Sequence, residues 1–137
     1  MTASPDALAL VAVAAQAASD KLARDIVAFD VSEQLVITDA FLICSAANDR
    51  QVIAIVDGIE EQVRRRLGHK PVRREGDREA RWVLLDYVDV VVHVQHVEER
   101  VYYSLERIWR DCPVIELPEA VTAATAGRAA AGGQESR

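Results

Sequence analysis

Cysteine is scarce in this chain. Cys44 and Cys112 are far apart and in no metal-like spacing, which excludes a disulfide scaffold and a zinc module. Both are expected to be reduced, buried or incidental, in a cytoplasmic protein. Long hydrophobic runs are missing too: no stretch approaches the ~20 apolar residues of a membrane span. The Ala-rich start has no basic leader and reads as helix rather than as a signal peptide. Internal repeats are absent. Positive charge is in deficit, with 16 Lys and Arg against 22 Asp and Glu, a net charge of −6. Such a chain is a poor electrostatic match for nucleic acid and a good one for a basic protein.

What remains is ordinary globular material. Half of the 137 residues are hydrophobic and 28% are charged, which makes one domain long enough to bury a real core. The most informative stretch is Arg81 to Gln95, RWVLLDYVDVVVHVQ. It is mostly β-branched or aromatic and is interrupted at Val88-Asp89, so it reads as a hairpin. With those two as turn residues, Tyr87 pairs with Val90 and Leu85 with Val92. One face then carries Val83, Leu85, Tyr87, Val90, Val92 and Val94, and must point into a core. The other carries Trp82, Leu84, Asp86, Val91, His93 and Gln95. That mixed face is either half covered by a second layer or a surface for a partner, since Trp among a few polar groups is what interface centres favour.

Ser4-Pro5-Asp6 starts a helix that runs to about Lys21, with Leu8, Val11, Ala12, Ala15 and Leu22 at helical spacing. Strands are expected at Ile26 to Val31, Leu35 to Thr38 and Phe41 to Ser45. Asn48 opens a second helix, with Gln51 three residues on as in a capping box. Its stripe is Val52, Ile55, Val56, Ile59, Val63 and Leu67, and Gly68 is its stop. The run Arg64-Arg65-Arg66 does not make one nucleic-acid patch, because consecutive helical residues point about 100° apart. Val72 to Arg74 is a short strand, and Glu75 to Ala80 a charged loop. A third helix begins at Glu98 and ends at Cys112-Pro113, with Tyr102, Leu105, Ile108 and Trp109 on one face. Val114 to Leu117 packs back on the domain. The domain is expected to span residues 1–117. Residues 118–137 form a disordered tail, largely so from Thr122, for want of large apolar side chains. The simplest architecture is a single α/β domain of α+β type, with a mixed sheet of five to six strands flanked by helices.

Catalytic chemistry is hard to assemble from these residues. His93 and His96 fall on opposite faces of a strand and are no ligand pair. Asp30, Asp39, Asp57, Asp86 and Asp89 are candidates for a metal-binding carboxylate pair, but Asp86 and Asp89 are three apart with a turn between them. No phosphate loop or dinucleotide fingerprint occurs, and Ser45, Ser104 and Cys44 lack a base at a motif spacing. The expectation is no catalytic residue, no metal and no cofactor, and no enzyme.

Three segments carry a resemblance: KLARDIVAFDV from Lys21, ITDAFLICSAANDRQVIAI from Ile37, and Arg81 to Trp109 with WVLLDYVDVVVHV and RVYYSLERIW. Thr38-Asp39, Gln51-Val52, the Trp82 strand, Val92-His93-Val94 and the helix with Tyr103, Leu105-Glu106 and Trp109 stand in the order and spacing of the ribosomal silencing factor family (RsfS, Iojap-related). The match covers roughly residues 5–112. The resemblance implies a fold similar in outline to nucleotidyltransferases but without their catalytic carboxylates, and a homodimer. It implies a partner, the large-subunit ribosomal protein numbered fourteen, on the face where the subunits meet. Binding there would keep the small subunit from joining and lower translation when nutrients are short. The family's interface uses the Trp strand, which carries over to Trp82. By position the expected docking set extends to Leu84, Asp86 and His93 on the same face, and to Glu75 and Asp77 in the preceding loop. The rival readings are a nucleotidyltransferase-like enzyme or nucleotide binder, and a dimeric adaptor with another target. One residue departs from the family: Val88 stands where a Gly-Asp turn is usual. Val resists positive φ, so a turn of another type is expected, or one a residue longer that would shift the pairing.

Overall fold

The structure is a computed structural model that describes residues 2–124. Its elements are α1 (Pro5–Asp20), β1 (Arg24–Asp30), β2 (Ala40–Ala46), α2 (Asp49–Leu67), β3 (Arg73–Glu75), β4 (Trp82–Asp86), β5 (Val90–His96), α3 (Val97–Tyr103) and α4 (Leu105–Trp109). The five strands form one mixed sheet in the order β1-β2-β5-β4-β3. β2 and β5 run parallel at its centre, and every other neighbour is antiparallel.

Both long helices begin and end where their termini are satisfied. Ser4 accepts a hydrogen bond from the Ala7 amide, and Pro5 stands at the first helical position, where its missing N–H costs nothing. Asn48 accepts from the Gln51 amide. The Gln51 side chain reaches back to accept from the Ala47 amide at 2.7 Å, one residue short of the expected partner. Its Nε2 also donates to the carbonyls of Lys21 and Leu22, so this cap ties α2 to the end of α1. Gly68 closes α2 at φ 72°, and the stripe from Val52 to Val63 is buried throughout.

The buried face of α1 is only in part the expected one, sharing Val11 and Ala15 with it. Leu8 and Leu22 are exposed, and the core side is Ala7, Leu10, Val11, Ala14, Ala15 and Ala18. Alanines this numerous give no phase to a hydropathy pattern, and their small side chains let α1 lie close against its neighbours. The strand expected at Leu35 to Thr38 does not form. Val36 and Ile37 are exposed in a looped connection, while Leu35 packs inward and Thr38 is buried. The third helix is two short ones, broken at Ser104 with φ 47°, which turns Tyr102 and Ile108 to solvent and leaves Leu105 and Trp109 facing the sheet.

Two apolar clusters lie on opposite sides of the sheet. On the inner side α1 and α2 cover Leu42, Cys44, Val83, Leu85, Val92 and Val94. On the outer side α4 and the chain after it cover Phe29, Val31 and Ile43 at the β1–β2 end. The free edge of β1 is closed by residues 113–115: the Asp30 amide donates to the Pro113 carbonyl, and the Ile115 amide to that of Ala28. Beyond it, residues 119–124 are helical and Val121 is fully buried in the main core. Disorder expected from residue 118 therefore fails for this first part, because one well-placed valine suffices to anchor a turn of helix. Residues 125–137 of the expected tail lie outside the described residues. Among the described residues no helix is long and apolar enough to cross a membrane.

The central hairpin pairs as expected, with Leu85 opposite Val92 and Trp82 opposite Gln95. Its turn is of another type. Val88 sits at φ 72°, the Asp89 amide donates to the Tyr87 carbonyl at 2.9 Å, and the Tyr87 amide donates to that of Val90. A hydrogen bond from i+2 to i across a positive φ makes this a γ-turn of the rarer, strained hand. The Asp86 carboxylate helps to hold it by accepting from the Val88 amide. The positive φ costs a β-branched residue more than it costs glycine, and Val88 is too exposed to recover much by packing. Val88→Gly should stabilise the protein by about 1 kcal/mol, net of the glycine's greater unfolded-state entropy. Chemical denaturation should then show a higher midpoint at unchanged slope, and an equal or lower midpoint would mean that the turn is not strained.

Candidate partner-docking face

The outer side of the sheet is covered over only part of its width. The α3–α4 segment lies over the β1–β2 end and reaches β5, leaving the β4–β3 end open. The side chains that point outward there follow from the register: Trp82, Leu84 and Asp86 on β4, then Glu75 opposite Leu84 and Arg73 opposite Asp86 on β3. Trp82, Leu84 and Asp86 are each partly exposed.

Trp82 is held by its neighbours rather than left loose. Its indole Nε1 donates to His93 Nδ1 at 3.2 Å, and its ring lies 5.0 Å from that of Tyr103. His93 in turn meets Phe41 edge-on at 5.2 Å, and Phe41 meets Trp109 at 5.1 Å. An aromatic path thus runs across the outer face from the covered end to the open one. Because the indole can only donate, His93 must present a lone pair at Nδ1 and carry its proton on Nε2. Burial lowers the His93 pKa to about 4, which keeps the ring neutral and the hydrogen bond intact at neutral pH.

Beside Trp82 is a shallow hollow of about 270 Å³ lined by Glu75, Gly76, Trp82 and Leu84. Gly76 makes it possible. At φ 96°, a Cβ there would fall 2.0 Å from the Trp82 carbonyl oxygen, so no other residue lets the loop pass so close to β4.

Of the six residues expected to dock a partner, four share this surface as open groups: Trp82, Leu84, Asp86 and Glu75. Asp86 has structural work as well, bonding Arg73 at 3.0 Å and capping the hairpin turn. His93 is on the face but buried, and acts on the surface through Trp82. Asp77 is drawn away. Its carboxylate bonds Arg74 Nε at 2.6 Å, and Arg74 lies on the inner side against Asp57 and Glu60 of α2. Tyr103, Phe41 and Gly76 line or brace this face and were not in the expected docking set. The available signals were the glycine in a charged loop before a Trp strand and the place of Tyr103 among the residues that carry the resemblance.

The candidate metal carboxylates are dispersed. Asp30 accepts from the Ala3 amide and from Ser32, and Asp39 accepts from the Ser4 amide, so the two steer the chain into α1. Asp57 is bonded to Arg74. Among the described residues no group of three or more His, Cys, Asp or Glu is placed to hold a metal ion. Burial pushes the Cys44 thiol up to about 12, far from a nucleophilic thiolate. The parallel pair β2 and β5 sends α2 to one face and the α3–α4 segment to the other, and a crevice at such a point is where α/β sheets bind ligands. That crevice, about 560 Å³, holds Arg50, Arg81 and His96. Arg81, however, is engaged by Glu98, Glu99 and Asp49.

A family model described as "Ribosomal silencing factor during starvation" matches residues 4–137. The chain belongs to the ribosomal silencing factor family. The match extends past residue 112, through the tail for which no family counterpart was expected. The chain is 47% identical over 105 residues to the ribosomal silencing factor of Bacillus subtilis, covering 77% of this chain and 88% of that one. It is 34% identical over 107 residues to the chloroplastic Iojap protein of Zea mays, covering 76% of this chain and 45% of that longer one. A crystal structure of a Chromobacterium violaceum protein superposes with a TM-score of 0.71 at 30% identity, covering 74% of this chain and 83% of that one. One from Bacillus halodurans gives 0.66 at 42%, covering 77% and 94%.

The burial of neutral His93, where it accepts from Trp82, makes stability depend on pH. A base whose folded pKa lies below its unfolded value of 6.5 stabilises fully above that value, and the contribution is lost as pH falls toward about 4. Between pH 7 and pH 5 this one group should cost about 2 kcal/mol. Urea denaturation of wild type and His93→Gln at both pH values should show the variant losing less by that amount, and equal losses would refute the assignment.

Proposed function

We propose that this protein represses translation by occupying the large ribosomal subunit. Its open β4–β3 face docks on the large-subunit ribosomal protein numbered fourteen, where the two subunits meet, and so blocks joining by the small subunit. The supporting observation is the half-covered sheet face, on which Trp82 is held by His93 and Tyr103 beside a small hollow.

The chemistry required is modest. A braced aromatic next to a hollow is the usual form of an interface anchor, because little side-chain freedom is lost on binding. The surrounding carboxylates outnumber the cations that hold them: Glu75 and Asp86 share Arg73, and Glu98 and Glu99 share Arg81. Ribosomal proteins are generally basic, so a chain of net charge −6 is steered toward them. Repression then needs occupancy alone. A domain of this length has a radius of gyration of about 14 Å, too thick to fit between surfaces that must touch. The reading includes a homodimer, for which exposed Val101, Tyr102 and Ile108 on the α3–α4 segment offer apolar surface, and a cytoplasmic location.

Trp82→Ala should weaken binding to isolated large subunits by about 2 kcal/mol, roughly 30-fold in Kd, while the thermal melt stays cooperative. An unchanged affinity would move the docking surface away from β4.

A further inference from the structure

Next to the docking face, on the side of β3, is a groove of about 670 Å³ between α2 and residues 69–74. Its charge is out of character for the chain. Between residues 62 and 74 the sequence holds six of its 16 basic residues and no acidic one. The helical geometry sorts them. Asp57, Glu60, Glu61 and Arg64 share the side of α2 that lines the groove, so Arg64 alone of the Arg64–Arg66 run points into it. His69, Lys70 and Arg73 line the opposite wall.

The three carboxylates in the groove leave its lining one positive charge, four cations against three anions, and each is held by an arginine other than Arg64. Asp57 and Glu60 both bond Arg74 Nη1, at 2.9 and 3.0 Å, and Glu61 pairs with Arg65. Arg73 is paired with Asp86 and Glu75. Among the described residues, Arg64 and Lys70 have no carboxylate within ion-pair distance, and both are exposed. The groove therefore presents two free cations and a histidine at the edge of a surface that is otherwise acidic.

We propose that this groove takes the phosphate backbone of ribosomal RNA flanking the docked ribosomal protein. The inference rests on the function proposed above and adds a second contact to it. The charge selects the occupant: a basic ribosomal protein is repelled by Arg64 and Lys70, whereas phosphates are attracted and release their counterions on contact. Two cations give no sequence readout and little affinity for RNA alone. Their effect is to fix orientation, since only one way of seating Trp82 brings the groove over RNA.

The test compares wild type with the double variant Arg64→Ala, Lys70→Ala, using isolated large ribosomal subunits across 50–200 mM salt and, in parallel, the purified ribosomal protein. Two lost phosphate contacts should make the slope of log affinity against log salt shallower by about 2 for large subunits. Lowering salt from 200 to 50 mM then strengthens wild type about ten-fold more than the variant. Binding to the purified ribosomal protein should be the same for both. An unchanged slope on large subunits overturns the proposal, and an equal loss against the purified protein makes the groove a protein contact instead. If wild type binds neither target, the proposed function itself falls, an outcome distinct from failure of the groove alone.

Discussion

The pairing of β4 with β5 is the constraint on which the rest depends. The side-chain period of a strand is two, so a slip of β4 by one residue against β5, itself held by β2, would exchange the faces of β4. Val83 and Leu85 would leave the core under α1 and α2, and Trp82 and Leu84 would enter it. The register is held at both ends. At the turn, Asp86 and the Tyr87–Val90 hydrogen bond close a γ-turn around a residue ill suited to it. At the far end the His96 amide donates to the Arg81 carbonyl, and Arg81 reaches Glu98 and Glu99 at the start of α3. Strain at Val88 is tolerated because the alternative, a shifted register, would expose the hydrophobic face of β4.

The same pairing connects fold to function. His93 is buried by its place on β5, burial keeps it neutral, and the neutral ring accepts from Trp82 on the neighbouring strand. The open half of the sheet thus inherits a rigid anchor from the covered half, through Phe41 and Trp109. The proposed docking surface and the stability of the fold share residues here, and Asp86 holds the turn and Arg73 while facing that surface.

Much of this was legible in the chain, and for identifiable reasons. The hairpin faces came out because every second residue, Val83, Leu85 and Tyr87 and then Val90, Val92 and Val94, is apolar or aromatic on either side of a two-residue turn. The second helix was readable because its caps and its stripe agree. The first helix was located but only partly phased: Val11 and Ala15 are buried and Leu8 and Leu22 are not, since a face built of alanine carries no contrast with its flanks. The non-existent strand at Leu35 to Thr38 shows the opposite failure: two apolar residues there are exposed, and composition alone cannot distinguish them from core. Within the site, Trp82, Leu84 and Asp86 share one surface because strand register is predictable from pattern, and Glu75, expected in a loop, joins them as the last residue of β3 opposite Leu84. Asp77 does not join them, because it pairs with Arg74, which Asp57 and Glu60 of α2 hold on the inner side. The groove at Arg64 was out of reach for a similar reason. A run of three arginines is visible in sequence, but which one meets Lys70 is decided by how residues 68–72 fold back.

The central claim is that occupancy of the large subunit excludes the small one. The most direct measurement is light scattering on mixing isolated large subunits, preincubated with an excess of this protein, with small subunits. The account predicts that joining falls in proportion to the fraction of large subunits occupied. Subunits that join at the usual rate while the protein remains bound to the large subunit would contradict it.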